Sequence, residues 1–421
     1  MASGEQELLS PYRVLDLTDE KGMLCGRLLA DMGADVIKVE PSGGDATRRF
    51  GPFYHDTPDP DKSLFWFFFN ANKRGITLNV ETEDGKELFR KLVKKTDILL
   101  ESSDPGYMES LGLGYEELSK VAPQLIMTRI TPFGQTGPKA HYKTTALTRW
   151  ASGSVMYCTG DPDRAPVWVA FPQDCLHAGL EATFASLVAL YYRERSGEGQ
   201  EVDISMQASA IDSTLDTPER WVVQGVDFKR SGYGDSYSGK GVMLRVGLPC
   251  KDGFVSIFLQ GGGLLTSAEH LGRLREWMCE EGMAPDWFMN IDWVRGYEAT
   301  AVNQDFVDRV EGVIESFVKT KTKAELFERA LRDKLIIAPV QDPKDIWQDE
   351  QLRARNFWGE MEHEKIRGKI PYAAKFALFS ETPLQLKHPA PMIGEHNEEI
   401  YEGELGMSKE RLILLRQLGA I

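Results

Sequence analysis

The chain has 421 residues, 42% of them hydrophobic and 27% charged, which is length enough for one long or two ordinary domains with a buried core. A net charge of −15 and the lack of any basic block argue against non-specific nucleic-acid binding. Five cysteines with no CxxC pair argue against a disulfide framework or thiolate zinc site and suit a reducing cytoplasm; the longest apolar run, Leu64 to Phe69, is too short to cross a membrane, and no secretory pattern opens the chain.

Tyr12 to Leu17 (YRVLDL) reads as a strand, Gly22 to Met32 as a helix, and Ala34 to Val39 as a second strand. Strand, helix and strand over so short a span predict a βαβ unit and a parallel sheet. Glu40 to Asp45 is then a loop at a strand's carboxyl end, where open α/β sheets bind ligands. Asn72-Lys73-Arg74 sets an amide and two cations in a connection, a group that either grips phosphates or forms a solvated turn. Ile76 to Val80 reads as a strand, Glu83 to Lys94 as a helix, and Asp97 to Glu101 and Leu125 to Ile130 as further strands.

The stretch Phe171 to Met206 organises what surrounds it. Pro172 stops the preceding segment, and Asp174 is a candidate N-cap at the start of a helix. Leu176, Leu180, Phe184, Leu187, Val188 and Tyr191 recur at helical spacing and predict one buried stripe. Arg193 and Arg195 suit the last turn, Gly197 and Gly199 end it, and Glu201 to Ser205 alternates as a strand. A carboxylate thus stands where helix-start amides favour an anion.

The pattern changes after about Gly225. Leu244 to Pro249 and Phe254 to Leu259 read as an antiparallel pair about Lys251-Asp252-Gly253, and helical segments follow. Residues 1–225 are therefore read as a large Rossmann-like α/β domain and 226–330 as a smaller α+β domain. Residues 331–421 are read as a return to the large domain, with Leu335 to Val340 as a strand, an extended tail from Pro371, and a closing helix from Ser408 to Leu418.

Gly234 to Gly241 nearly matches a P-loop, but Gly241 stands where Ser or Thr must hold magnesium, so a loop over a site or a plain surface loop fits better. Gly261 to Gly263 either lets a backbone approach a ligand or is an ordinary connection. His177 and Glu181, four apart, read as a polar helix edge, since a metal needs more ligands. Ser152-Gly153-Ser154 lacks the nucleophile elbow of serine hydrolases.

Taken together, YRVLDLTDEKGMLCGRLLADMGADVIKVE, NANKRGITLNVETEDGKELFRKLVKKTDILLES, the segment from Asp161 through SGEGQEVDISM, and the tail Pro389-Ala-Pro-Met-Ile-Gly-Glu-His396 resemble the class III (formyl-CoA transferase-like, CaiB/BaiF) CoA-transferases. The resemblance implies a Rossmann-like large domain, a small domain, and two chains interlocked like linked rings. It implies covalent catalysis by one aspartate at the head of the helix just described, through a mixed anhydride and then an aspartyl-CoA thioester, with CoA thioesters and a carboxylic acid as substrates and no permanently bound cofactor or metal. Carried onto this chain, Asp174 is the candidate nucleophile, and Asn72, Lys73, Arg74 and Lys143 are the candidate CoA-binding residues.

The chain also departs from the family pattern. The aspartate of relatives sits four residues before the glycine matched by Gly179, and that position is Cys175; Asp174 comes one residue early, about 100° of helical turn away. Ser102 to Gly106 replaces an asparagine-containing glycine loop, and Ser110 stands for an arginine. Such departures point to the atypical subunit of a heteromeric enzyme. Gln173 to Ala182 resembles that subunit in a member acting on succinyl-CoA and benzylsuccinate. A non-catalytic structural subunit is the alternative. A racemase or isomerase on the same fold is a third reading, but its histidine is not evident.

Overall fold

Six parallel strands form the central sheet of a computed structural model of the chain: β1 (Arg13–Asp16), β2 (Asp35–Glu40), β3 (Arg74–Thr77), β4 (Ile98–Glu101), β5 (Ile126–Thr131) and β6 (Gln200–Ser205). Described are residues 7–421 except 170, 215–216, 228–229, 231, 233, 236–241, 260–264, 295–302 and 364–365. The strands lie in the order β3-β2-β1-β4-β5-β6, the doubly wound order in which a crevice opens between β1 and β4 at their carboxyl ends. The inner strands β1, β4 and β5 are buried on both faces, whereas the edge strand β6 alternates and stays mostly half-exposed. On one face Leu15, Ile37 and Leu99 pack with α3 (Glu83–Val93); on the other Val14, Val36 and Leu100 pack with α1 (Met23–Asp31) and α5 (Gln173–Ser196). Two short helices, α2 (Leu64–Asn70) and α4 (Ala146–Ser152), lie in the same unit.

The helix α5 corrects two expectations. Its N-cap is Pro172, with no side-chain cap, so Asp174 sits inside the first turn and does not cap. The buried face carries Ala178, Gly179, Ala182, Ser186 and Ala189, while the expected stripe is turned outward: Leu180, Val188 and Tyr191 are exposed and Phe184 is 71% exposed. Two faces recur at helical spacing, and the one with small residues wins because it permits close approach. A Cβ on Gly179 would lie 2.8 Å from Leu24 Cβ on α1, and Ser186 Oγ reaches Thr128 Oγ1 of β5 at 2.7 Å.

The chain divides into two compact units, one of Met1–Val155, Val169–Glu219 and Glu350–Ile421, the other of Met156–Trp168 and Arg220–Asp349. In the second, β7 (Gly247–Cys250), β8 (Gly253–Ile257) and β9 (Ile337–Val340) form an antiparallel sheet with β8 central. It is packed by α6 (Leu265–Glu280), α7 (Gln304–Val318) and α8 (Lys323–Asp333). The boundaries expected at 226, 330 and 331 shift for two reasons. The strand taken as the return to the large domain is β9, whose Ile337 pairs with Ile257 of β8. Residues 156–168 join this unit through Arg230, which donates to Tyr157 O, and Gly232 N, which donates to Gly160 O. Gly261 to Gly263 and Ser236 to Gly241 lie outside the described residues.

The chain then forms a hairpin of β10 (Trp358–His363) and β11 (Gly368–Ala373), runs extended, and closes in α9 (Lys409–Gln417), which packs Leu412 and Leu415 beside α3. The Pro389–His396 signature has a plain structural role here. His396 Nδ1 accepts from Gly75 N at 3.0 Å, His396 N donates to Gly75 O at 2.9 Å, and Asn397 Oδ1 accepts from Thr77 N at 2.9 Å. The tail thereby covers the outer edge of β3, which would otherwise present unpaired backbone groups. No helix among the described residues is long and apolar enough to cross a membrane.

Candidate active site

The strand ends that should face a ligand carry buried carboxylates, and each is answered within the chain. Asp16 at the end of β1 meets Lys73 Nζ at 2.8 Å, and Lys73 also donates to Met23 O and Asn70 Oδ1. Against the cost of burial, Lys73 and Lys38 hold the Asp16 carboxyl below its ordinary range. The arrangement needs Gly26, where a Cβ would come within 2.3 Å of Asp16 Oδ2. Glu40 on β2 is held bidentately by Arg48, which lies 3.8 Å from the Trp66 ring centroid. Glu101 on β4 receives Arg129 Nε at 2.6 Å.

Three of the expected site residues fall in or near this closed system, and a fourth does not. Asn72 donates to Asp31 Oδ1 and Gln385 O, and its own Oδ1 accepts from Lys387 N and His388 N, so it ties the tail down. Lys73 is buried against Asp16, and Arg74 is engaged by Asp35, Glu399 and Glu404. Lys143 pairs with Asp104 and is 81% exposed. The structure brings the first three together around internal carboxylates and leaves Lys143 apart from them. Of the weaker motifs, His177 meets Ser213 and Glu181 accepts from Ser209, as a polar helix edge does.

A different arrangement stands at the head of α5. A cavity of about 400 Å³ opens there, walled by Phe50, Phe65, Phe69 and Leu176, with Arg149, Cys175 and Glu20 also reaching it. Glu20 comes from the loop after β1, Phe65 and Phe69 from α2, and Arg149 from α4, whose first turn is fixed by a Thr145–Thr148 capping box. Asp174 is fully buried and does not line the cavity. Its Oδ2 accepts from Arg149 Nε at 2.6 Å, and its Oδ1 is buried without a hydrogen-bond partner among the described residues. The residue at the cavity is Cys175, whose Sγ lies 3.5 Å from Arg149 Nη2. Burial first, then the neighbouring Asp174 carboxylate, drives the Cys175 thiol above the ordinary thiol range, so it stays protonated and weakly nucleophilic. Burial opposes the charge on Arg149, but Cys175 and Asp174 beside it keep its pKa raised. Burial, with Asp19 next to it, also raises the Glu20 carboxyl.

Sequence reading missed Arg149 and Glu20. The only trace of Arg149 is one cation in the short segment Ala146–Ser152, which is too brief to show a periodicity, and Glu20 lies in a loop among other charged residues.

The model of CoA-transferase family III matches residues 9–397, and the chain belongs to that family: it is a CoA-transferase, of a family whose substrates are CoA thioesters. Among similar proteins, the succinyl-CoA:(R)-benzylsuccinate CoA-transferase subunit BbsE of Thauera aromatica is 33% identical over 414 residues, covering 98% of each chain. The succinyl-CoA–L-malate CoA-transferase beta subunit of Chloroflexus aurantiacus is 31% identical over 413 residues, covering 97% of this chain and 96% of that one. A solved CAIB/BAIF family protein from Brucella suis superposes with a TM-score of 0.78 at 26% identity, covering 94% of this chain and all of that one.

Proposed function

We propose that this chain is one subunit of a heteromeric class III CoA-transferase that moves CoA from an acyl-CoA such as succinyl-CoA to a carboxylic acid, with benzylsuccinate the candidate acceptor. The aspartyl-CoA thioester forms on a paralogous partner chain interlocked with this one. The observation that carries this reading is the placement of Asp174: it is buried behind Arg149, away from the cavity, while the inert Cys175 occupies the wall. The likeness to chains named as subunits supports a two-chain enzyme. The outward stripe of α5, from Leu180 to Tyr191, supports a large contact with another chain, because an apolar face of that length is costly in water. CoA contact by Asn72, Lys73 and Arg74 would compete with their internal partners, so Lys143 is the freest of the four to meet a phosphate.

A second reading is favoured by one atom. Asp174 Oδ1 has no hydrogen-bond partner among the described residues, and a turn of the first helical residues would make Asp174 the nucleophile. Trapping separates the two. The chain is incubated with succinyl-CoA, alone and with its co-purifying partner, then treated with hydroxylamine and mapped by mass spectrometry. An adduct on the partner alone is expected; an adduct at Asp174 in the isolated chain overturns the proposal.

A further inference from the structure

We propose that the cavity at the head of α5 binds, without covalent bond, a carboxylic acid with an aromatic body: Arg149 holds the carboxylate, and Phe50, Phe65 and Phe69 hold the ring. This rests on the reading of the chain as a CoA-transferase subunit and assigns the residues that hold its acid.

The aromatic wall is continuous. The Phe50 and Phe65 rings meet edge to face with centroids 5.4 Å apart, and Phe65 and Phe69 are 4.6 Å apart. Phe50 and, at the mouth, Phe171 are both exposed, so this wall is short of apolar partners. A further ring between them would bury edges and faces that now meet water. About 400 Å³ lies within the range of small-ligand pockets.

The polar end is equally specific. A guanidinium carries five N–H donors in a planar fork. Arg149 spends Nε on Asp174 and one Nη2 donor on Cys175, and Nη1 has no hydrogen-bond partner among the described residues. The side chain is 95% buried yet reaches the cavity, so its remaining donors meet whatever enters. Asp174 fixes the plane of the fork from behind. A carboxylate matches that plane. A phosphate dianion would meet more repulsion from Asp174 and Glu20 and would find phenyl rings instead of donors on the other side. Small acids such as oxalate gain nothing from the wall. A free carboxylate is not an acylating agent, so Cys175 beside it forms no bond with the acid.

Calorimetric titration of the purified chain with its co-purifying partner tests this, using 3-phenylpropionate, its amide, propionate and oxalate. The phenyl acid is expected to bind at least tenfold tighter than propionate or oxalate, and the amide at least tenfold weaker than the acid. Phe65→Ala should remove the preference for the ring and leave propionate unchanged. Arg149→Gln should abolish the preference for acid over amide. Because that change bares Asp174, the double variant Arg149→Gln/Asp174→Asn, with its fold checked by circular dichroism, makes the same measurement without a buried unpaired charge. No binding, equal binding of phenyl acid and propionate, or an unchanged preference in both the Phe65 and the Arg149 variants overturns the inference. CoA exchange by the pair is measured separately. Exchange without ring preference defeats the pocket and spares the transferase reading; ring-selective binding without exchange defeats the reading and spares the pocket.

Discussion

The carboxyl ends of the strands and the head of α5 are both buried and both charged, yet they are built on opposite principles. At the strand ends each carboxylate has its cation: Asp16 has Lys73, Glu40 has Arg48, and Glu101 has Arg129. Those groups are spent mainly on partners within the chain. At the head of α5, Arg149 has one carboxylate, a neutral thiol and spare donors, and it faces an apolar cavity. Buried charge by itself therefore does not mark a site; unspent hydrogen-bonding capacity beside open space does.

The largest expected effect tests the closed side. Lys73→Met takes away the nearer of the two cations beside buried Asp16, leaving Lys38 at 4.0 Å, and should cost about 3 kcal/mol in urea unfolding, whereas Asp16→Leu/Lys73→Met should recover part of that. A loss below about 1 kcal/mol would mean that water reaches Asp16 and that the strand ends are open after all.

The second unit offers its own closed group. His270 is buried, with Nε2 donating to Phe258 O and Nδ1 accepting from Ile336 N, and burial pulls its pKa down to about 4. The folded state keeps it neutral while the unfolded chain takes a proton below about 6.5, so stability is complete above that pH and is lost as pH falls toward 4. The loss should be on the order of 3 kcal/mol, read by hydrogen exchange in peptides of this unit. Unchanged protection between pH 7 and pH 4 would show that His270 is not held neutral.

On the open side, the raised Glu20 carboxyl sharpens the contrast. Asp19, Lys21 and Arg149 face it, with burial and Asp19 raising its pKa and the two cations opposing. As pH falls through that raised value, Glu20 loses the charge that repels an incoming carboxylate. Binding of a phenyl acid should then tighten several-fold, and Glu20→Gln should flatten the profile. A profile that survives the substitution assigns the effect to another group.

The smallest effect on stability is expected at the outward face of α5. Phe184→Ser should change unfolding of the chain alone by no more than about 0.5 kcal/mol, since that residue is 71% exposed. The same variant should weaken assembly, seen as a lower mass by light scattering. An unaltered assembly would leave the stripe without a partner.

Much of the fold was legible. Near-continuous apolar runs and short connections predicted β1, β2, β4 and β5 within a residue or two, and Gly197 marked the end of α5, where it adopts a left-handed φ of 77°. The Asn72-Lys73-Arg74 segment was singled out for phosphates, but its partners in the structure are Asp31, Asp16 and Asp35 and a tail more than 300 residues on, which no local pattern reveals. Likewise, the helical period of α5 defined two faces without saying which one turns inward.

The sequence by itself determined the parallel α/β framework, the family, and the presence of Asp174 and Cys175 side by side at the head of α5, because these depend on local period, spacing and residue identity. Only the tertiary structure decided that Asp174 turns to Arg149, that the small-residue face of α5 packs inward, and that four phenylalanines meet one incompletely used arginine. Those outcomes depend on which distant side chains arrive at a given point, and on the close approach that alanine and glycine allow and phenylalanine forbids.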